Sequence, residues 1–227
     1  MNDNLNILKI SDECKNDMES IWFTSDLHAS HTKIVDICNR PIYLQSYEGE
    51  RNIKNNDYKQ KLDNIHNEWL VKDVINKWVK KNDTLFILGD VSMAKRSEAE
   101  KFLDRLNGIK YLISGNHDKN IQNSSRFCQI TQIKDFTYSK FNLNIHIVLC
   151  HYPLLSWNRK VHGSWHLYGH VHGRLNIDNG LSFDVGIDNP ELHKITGGYY
   201  RPLNLYEIFK LMVSEQQFID KEQKQEF

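Results

Sequence analysis

"DTLFILGD", Asp83 to Asp90, carries a short apolar run rich in β-branched and aromatic residues and closes on a glycine and an acid. A run of that length bounded by turn residues reads as a buried strand followed by a loop. Two other stretches have the same shape: "SIWFTSD" (Ser20 to Asp26) and "KYLISGNHD" (Lys110 to Asp118). All three end in an acidic residue. Between the first two, Tyr58, Leu62, Ile65, Trp69, Leu70, Ile75 and Trp78 fall near helical spacing, with Lys and Asn on the other face. Between the second and third, "SEAEKFLDRLNG" predicts a helix capped by Ser97, with Glu100 three residues on and Gly108 as its stop. Strand and helix in alternation imply an α/β fold with a parallel sheet and right-handed crossovers.

Outward from this core the grammar changes. After Asn120, "QITQIKDFTYS", "NIHIVLCHYP", "SWHLYGHVHG" and "LSFDVGID" read as strands of a second sheet or of an antiparallel extension of the first. Asn204 to Ser214 predicts a closing amphipathic helix. No linker interrupts the 227 residues, so one domain is expected over 1–227, with 1–18 and 216–227 as polar termini. An Asn/Lys-rich bias marks Arg51 to Lys61. Lys+Arg and Asp+Glu stand at 29 each, which removes the charge footprint of a strong nucleic-acid binder. No apolar run is long enough for a signal peptide or membrane span, and Cys14, Cys38, Cys128 and Cys150 form no C-x-x-C pair. A reducing, cytoplasmic setting is the expectation.

Open α/β sheets hold ligands outside the C-terminal ends of their strands. There this chain places Asp26 and His28, Asp90, Asn116 to Asp118, His151, and His170 and His172. Members of the pairs Asp26/His28 and His170/His172 lie two apart, so in an extended segment each pair shares a face. A closed zinc site needs four ligands, whereas seven candidates stand here, all O or N donors. Such a set suits two divalent ions such as Mn, Fe, Zn or Ni, sharing a carboxylate and acting on a phosphoester.

The ordered series D-L-H (Asp26, His28), G-D (Gly89, Asp90), G-N-H-D (Gly115 to Asp118), the single His151 and G-H-V-H (Gly169 to His172) resembles the calcineurin-like metallophosphoesterase superfamily. Within it the chain is most similar to the small bacterial and phage type, whose opening is matched by "SDLHASHTKIVDICNRP". The resemblance implies a two-sheet α/β/β/α sandwich and a division of ligands. One ion would take Asp26, His28, Asp90 and His172, and the other Asp90, Asn116, His151 and His170, with Asp90 as bridge. It also implies in-line attack of a metal-bridging hydroxide, with His117 protonating the leaving oxygen and Asp118 orienting that imidazole. Asn116 would also help to bind the phosphate. "GDVSMAKR" lacks the Asp and Arg of the phosphoprotein phosphatases at Met93 and Ala94, which argues against that branch.

Other candidates keep two readings. His31 either reaches a substrate phosphate or belongs to the helix beginning near Thr32; Arg40 either binds an anionic substrate or is a surface arginine at a helix end. His162 sits in a loop that could line the pocket, while His166 reads as packed in a strand. His66, on the polar side of the long helix, reads as unrelated to the metals, as do His146 and His193. A small phosphoester, nucleotide-like and a diester before a monoester, is the expected substrate. The alternative is a non-catalytic metal-binding scaffold of the same fold. An amidohydrolase barrel is excluded, since too few residues follow His172 to build it.

Overall fold

Three strands of the expected core form where their apolar runs predict them: β1 (Ile21–Thr24), β2 (Thr84–Ile87) and β3 (Ile109–Ile113), mutually parallel in that order. A computed structural model describes residues 10–42, 56–175 and 179–225, with the side chains of 56–58 and 217–225 excepted. Arg51 to Asn55 and the outer parts of both termini therefore lie outside the described residues, as do the side chains of Asn56 to Tyr58. The first sheet is completed by β4 (Gln129–Thr131), parallel to β3, and β9 (Leu203–Asn204), antiparallel to β1.

The second sheet has the order β5 (Ile133–Lys140), β6 (Leu143–Cys150), β7 (Trp165–Tyr168) and β8 (Ser182–Asp184). Only β5 and β6 are antiparallel; the long connections after β6 and β7 allow those pairs to be parallel. "QITQIKDFTYS" therefore divides between two sheets. One residue, Gln132, separates β4 from β5, and nothing in the apolar pattern marks the switch.

Strands β1, β2 and β3 bury side chains on both faces. Phe23, Phe86, Leu88 and Ile113 join Ile147, Leu149, Leu167 and Phe183 of the second sheet in one apolar cluster. Trp22, Leu85, Ile87 and Leu112 turn the other way, against Leu70, Val74, Phe102 and Leu103. The helices flanking that face are α3 (Asn56–Trp69), continued by a π-helical segment Leu70–Ile75, and α4 (Arg96–Arg105). The wider π turn lets Leu70, Val71, Val74 and Ile75 all be buried. Helices α1 (Asp12–Met18), α5 (Pro190–Thr196) and α6 (Leu205–Gln225) contribute to the inter-sheet cluster, while α2 (Lys33–Ile37) follows the first strand-end loop.

The predicted start of α4 moves, and α6 keeps its predicted start but runs past Ser214 to Gln225. α4 starts after Lys95 rather than Ser97, with no side-chain cap, and Glu100 pairs with Arg96 at 3.0 Å instead of closing a capping box on Ser97. α6 starts at a reciprocal cap: Glu207 N–H donates to Asn204 Oδ1 at 2.9 Å, and Asn204 N–H to Glu207 Oε2 at 3.1 Å. No helix among the described residues is long and apolar enough to cross a membrane.

Candidate metal centre

The loops leaving β1, β2, β3, β6 and β7 meet at one edge of the sandwich, and each brings polar residues. Their backbones are tied together: Asp26 N–H donates to Gly89 O, His28 N–H to Asp90 O, and His170 N–H to Asp26 Oδ2 at 2.8 Å. Asp26, His28, Asp90, His170 and His172 all adopt left-handed backbone conformations, φ between 50° and 71°. Non-glycine residues pay for that geometry, and they hold it only where the surroundings over-determine it. The extended i, i+2 geometry expected for His170 and His172 is therefore absent, and their rings diverge into different groups.

One group joins Asp26, His28 and His172, and a second joins Asp90, His151 and His170. Asp26 Oδ1 lies 3.8 Å from His28 Nε2 and 3.7 Å from His172 Nε2. Asp90 Oδ2 lies 3.6 Å from His28 Nε2 and 3.6 Å from His151 Nε2, midway between the groups. His151 donates Nδ1–H to Leu88 O at 2.6 Å, which leaves the Nε2 lone pair facing Asp90. Asn116 Oδ1 stands 3.2 Å from that Nε2.

The chemistry of these atoms fits a divalent ion. Asp26 Oδ1 and both ring nitrogens of His28 are buried without a hydrogen-bond partner, a costly state for polar atoms unless a cation completes it. Burial raises the Asp26 carboxyl, yet His28, His172 and His151 beside it bring it below the usual range. Burial lowers His172, but Asp188, Cys38 and Asp26 push it up to about 10, so an ion at Nε2 would take the place of a proton. The glycines of the blocks leave the room: a Cβ on Gly169 would stand 1.9 Å from Ser25 Oγ, and one on Gly115 2.5 Å from Asp90 Oδ1.

His117 stands at the mouth with its side chain 41% exposed, Nε2 4.0 Å from Asp90 Oδ2. Its backbone N–H donates to Asp90 Oδ1 at 3.0 Å. His31 is brought in as well, its ring 5.6 Å from that of His28, and burial with the charges of His28 and His117 keeps it below the usual histidine range.

Several expectations are corrected. Asp118 does not orient His117: its carboxylate is buried and accepts from the N–H groups of Asp90, Val91 and Gly115 at 2.8 to 2.9 Å, pinning two loops together. Arg40 is neither a substrate contact nor a surface residue. Its side chain is fully buried and its five N–H donors go to Asp188, Leu27 O, Asp26 O and His66. His66, assigned to a polar helix face, is 1% exposed and accepts from Arg40 at 2.8 Å. His162 lies before β7, in a hollow of about 300 Å³ that includes Asn142 to Ile145. Those residues open β6, so His162 is at the end of the sheet opposite His151.

Residues without an assigned role also reach the centre. Asp188 accepts from His172 Nδ1–H at 2.8 Å, and Asp184 accepts from Gly173 N–H at 2.8 Å and Gly186 N–H at 2.7 Å. The signal that could have found them is the same acid at a strand end, repeated in "LSFDVGID". Cys38, Sγ 3.6 Å from His172 Nδ1, completes a third group with His172 and Asp188. Arg40 holds both oxygens of Asp188, so that group already contains its cation.

A family model described as calcineurin-like phosphoesterase matches residues 19–174, which span all five loops. An uncharacterized protein of Methanocaldococcus jannaschii is 27% identical over 201 residues, covering 86% of this chain and 92% of its own length. The gene 66 protein of Mycobacterium phage D29 is 25% identical over 75% of this chain and 89% of its own. A crystal structure of a protein of unknown function from Aquifex aeolicus superposes with a TM-score of 0.53 at 20% identity. The match covers 84% of this chain and 98% of that one, a likeness of fold.

Proposed function

The chain belongs to the calcineurin-like phosphoesterase family, and from that premise we propose that it hydrolyses small, nucleotide-like phosphoesters with two divalent ions, diesters in preference to monoesters. One ion is assigned to Asp26, His28, Asp90 and His172, the other to Asp90, Asn116, His151 and His170; Mn is the first choice, with Fe, Ni or Zn as alternatives. The observation that carries this reading is the place of Asp90 Oδ2, 3.6 Å from a histidine of each group. Two such ions, when bound, lower the pKa of a water and clamp the attacking and leaving oxygens of an in-line displacement.

The protein's own residues do the rest. His117, half-exposed at the mouth and anchored through its backbone to Asp90, donates a proton to the departing oxygen. Asn116 and His31 offer side chains toward the phosphate, and Asp118 holds the β2 and β3 loops in register. Arg40 has no donor left for the second charge of a monoester, which supports the diester preference. The four free cysteines support a reducing, cytoplasmic setting.

His117→Ala is expected to lower kcat by about 100- to 10,000-fold while two ions per chain remain. Normal turnover of bis-p-nitrophenyl phosphate by that variant would remove His117 from the mechanism. Comparison of this diester with p-nitrophenyl phosphate and with 2',3'- and 3',5'-cyclic nucleotides, under Mn, Ni, Fe and Mg, tests the substrate. Exclusive monoesterase activity overturns the diester assignment, and bound Mn without any hydrolysis points to a scaffold.

A further inference from the structure

The contacts behind His172 form a continuous buried chain. His172 donates Nδ1–H to Asp188 Oδ2 at 2.8 Å. Arg40 grips the same carboxylate with two bonds, Nε to Oδ1 and Nη2 to Oδ2, both 2.8 Å. The remaining donors of Arg40 reach Asp26 O at 2.7 Å, Leu27 O at 2.7 Å and His66 Nε2 at 2.8 Å. One guanidinium thus binds both the peptide that carries Asp26 and the carboxylate that holds His172. These two ligand residues come from opposite sheets, one after β1 and the other after β7.

We propose that Asp188, clamped by Arg40, is the positioning residue of His172, fixing the ring with its Nε2 lone pair toward Asp26 and so setting the affinity of the Asp26–His28–His172 group for a divalent ion. A carboxylate behind an imidazole fixes its tautomer and raises its strength as a ligand. Arg40 adds two things a free carboxylate lacks. It neutralises Asp188, so the acid is not itself drawn onto the ion, and it locks the distance between the loops that supply Asp26 and His172. Planar, bidentate geometry makes arginine suited to this and lysine a poor substitute.

The inference rests on the reading of Asp26, His28 and His172 as metal ligands, and the test separates the two. Asp188→Asn, Arg40→Lys and His172→Ala are prepared in the full chain, and Mn binding is followed by calorimetric titration and metal content. Asp188→Asn is expected to weaken one of two Mn sites about 10- to 100-fold and to leave the other unchanged. A merely structural role would weaken both sites together and lower the unfolding temperature of the metal-stripped protein. His172→Ala is expected to lose the same ion. If His172→Ala binds two Mn normally, the metal assignment itself fails. If it loses an ion while Asp188→Asn binds as the wild type does, only the positioning role fails. Should Asp188→Asn not fold, Arg40→Lys, which keeps the buried charge, decides: a selective loss at one site supports the proposal, and unchanged binding overturns it.

Discussion

Gly169 stands where a methyl group would collide with the centre it serves. A Cβ there would meet Ser25 Oγ at 1.9 Å and Asp26 Oδ2 at 2.5 Å, side-chain atoms held in place because Ser25 donates to Leu88 O at 2.6 Å and Asp26 Oδ2 accepts from His170 N–H at 2.8 Å. Gly169→Ala is therefore expected to cost about 1–3 kcal/mol, read as a lower urea midpoint, and to weaken Mn binding because Asp26 must shift. An unchanged midpoint would mean that the β1 and β7 loops are less tightly joined than the contact requires. At this scale the candidate ligands were legible in the sequence, because Asp, Asn and His are the side chains that hold hard and borderline ions. Arg40 was not legible. Its role depends on burial against Asp188 and His66, which no spacing in "CNRP" reveals.

Elements behave less simply than their apolar patterns. The pattern around Leu70 to Ile75 reads as ordinary helix, yet the structure widens it into a π turn that buries four of the six residues. α3 also delivers His66 to the interior, where burial and the Arg40 charge lower it to about 3 from an ordinary 6.5. Between those values an unfolded chain binds a proton at His66 and the folded protein does not, so falling pH favours unfolding. His66→Gln keeps an acceptor for Arg40 and removes the titration. The wild type is expected to lose stability relative to this variant by about 1.4 kcal/mol per pH unit from near pH 6.5 toward pH 3. Parallel curves for the two proteins in urea titrations across that range would show that His66 is not held neutral. Taking the difference between the two proteins also cancels Asp184, which burial and Asp26 push up to about 7 and whose own effect runs the opposite way with pH.

Over the whole molecule, the two sheets press their strand ends into one acidic edge. Asp26, Asp90, Asp118, Asp184 and Asp188 are all buried there. Asp118 and Asp184 are held by backbone N–H groups and Asp188 by Arg40, whereas Asp26 and Asp90 each accept one backbone N–H, from His170 and His117, and turn their other oxygen toward the histidines. Ion binding to the folded state alone raises stability by mass action, about 2.7 kcal/mol at a hundredfold excess over Kd. Thermal unfolding is thus expected at lower temperature in chelator than in Mn, with a midpoint that climbs with Mn concentration. Identical midpoints in EDTA and Mn would show that the folded protein gains nothing from the ion.

The sequence by itself determined the strand core and the candidate ligands at its strand ends. Uninterrupted apolar runs can only be buried strands or helices, and five acid- or histidine-bearing loops at their ends recur in an order that chance does not supply. It could not show that β4 and β5 belong to different sheets, since a chain crossing between sheets keeps the same alternation. Spacing alone does not show which histidine faces which carboxylate: only the family resemblance implied separate groups for His170 and His172, and left-handed backbones send their rings to those groups. The tertiary structure decided those pairings and the buried Arg40–Asp188 clamp. Each depends on contacts between segments distant in the chain, and contacts of that kind leave no local spacing to read.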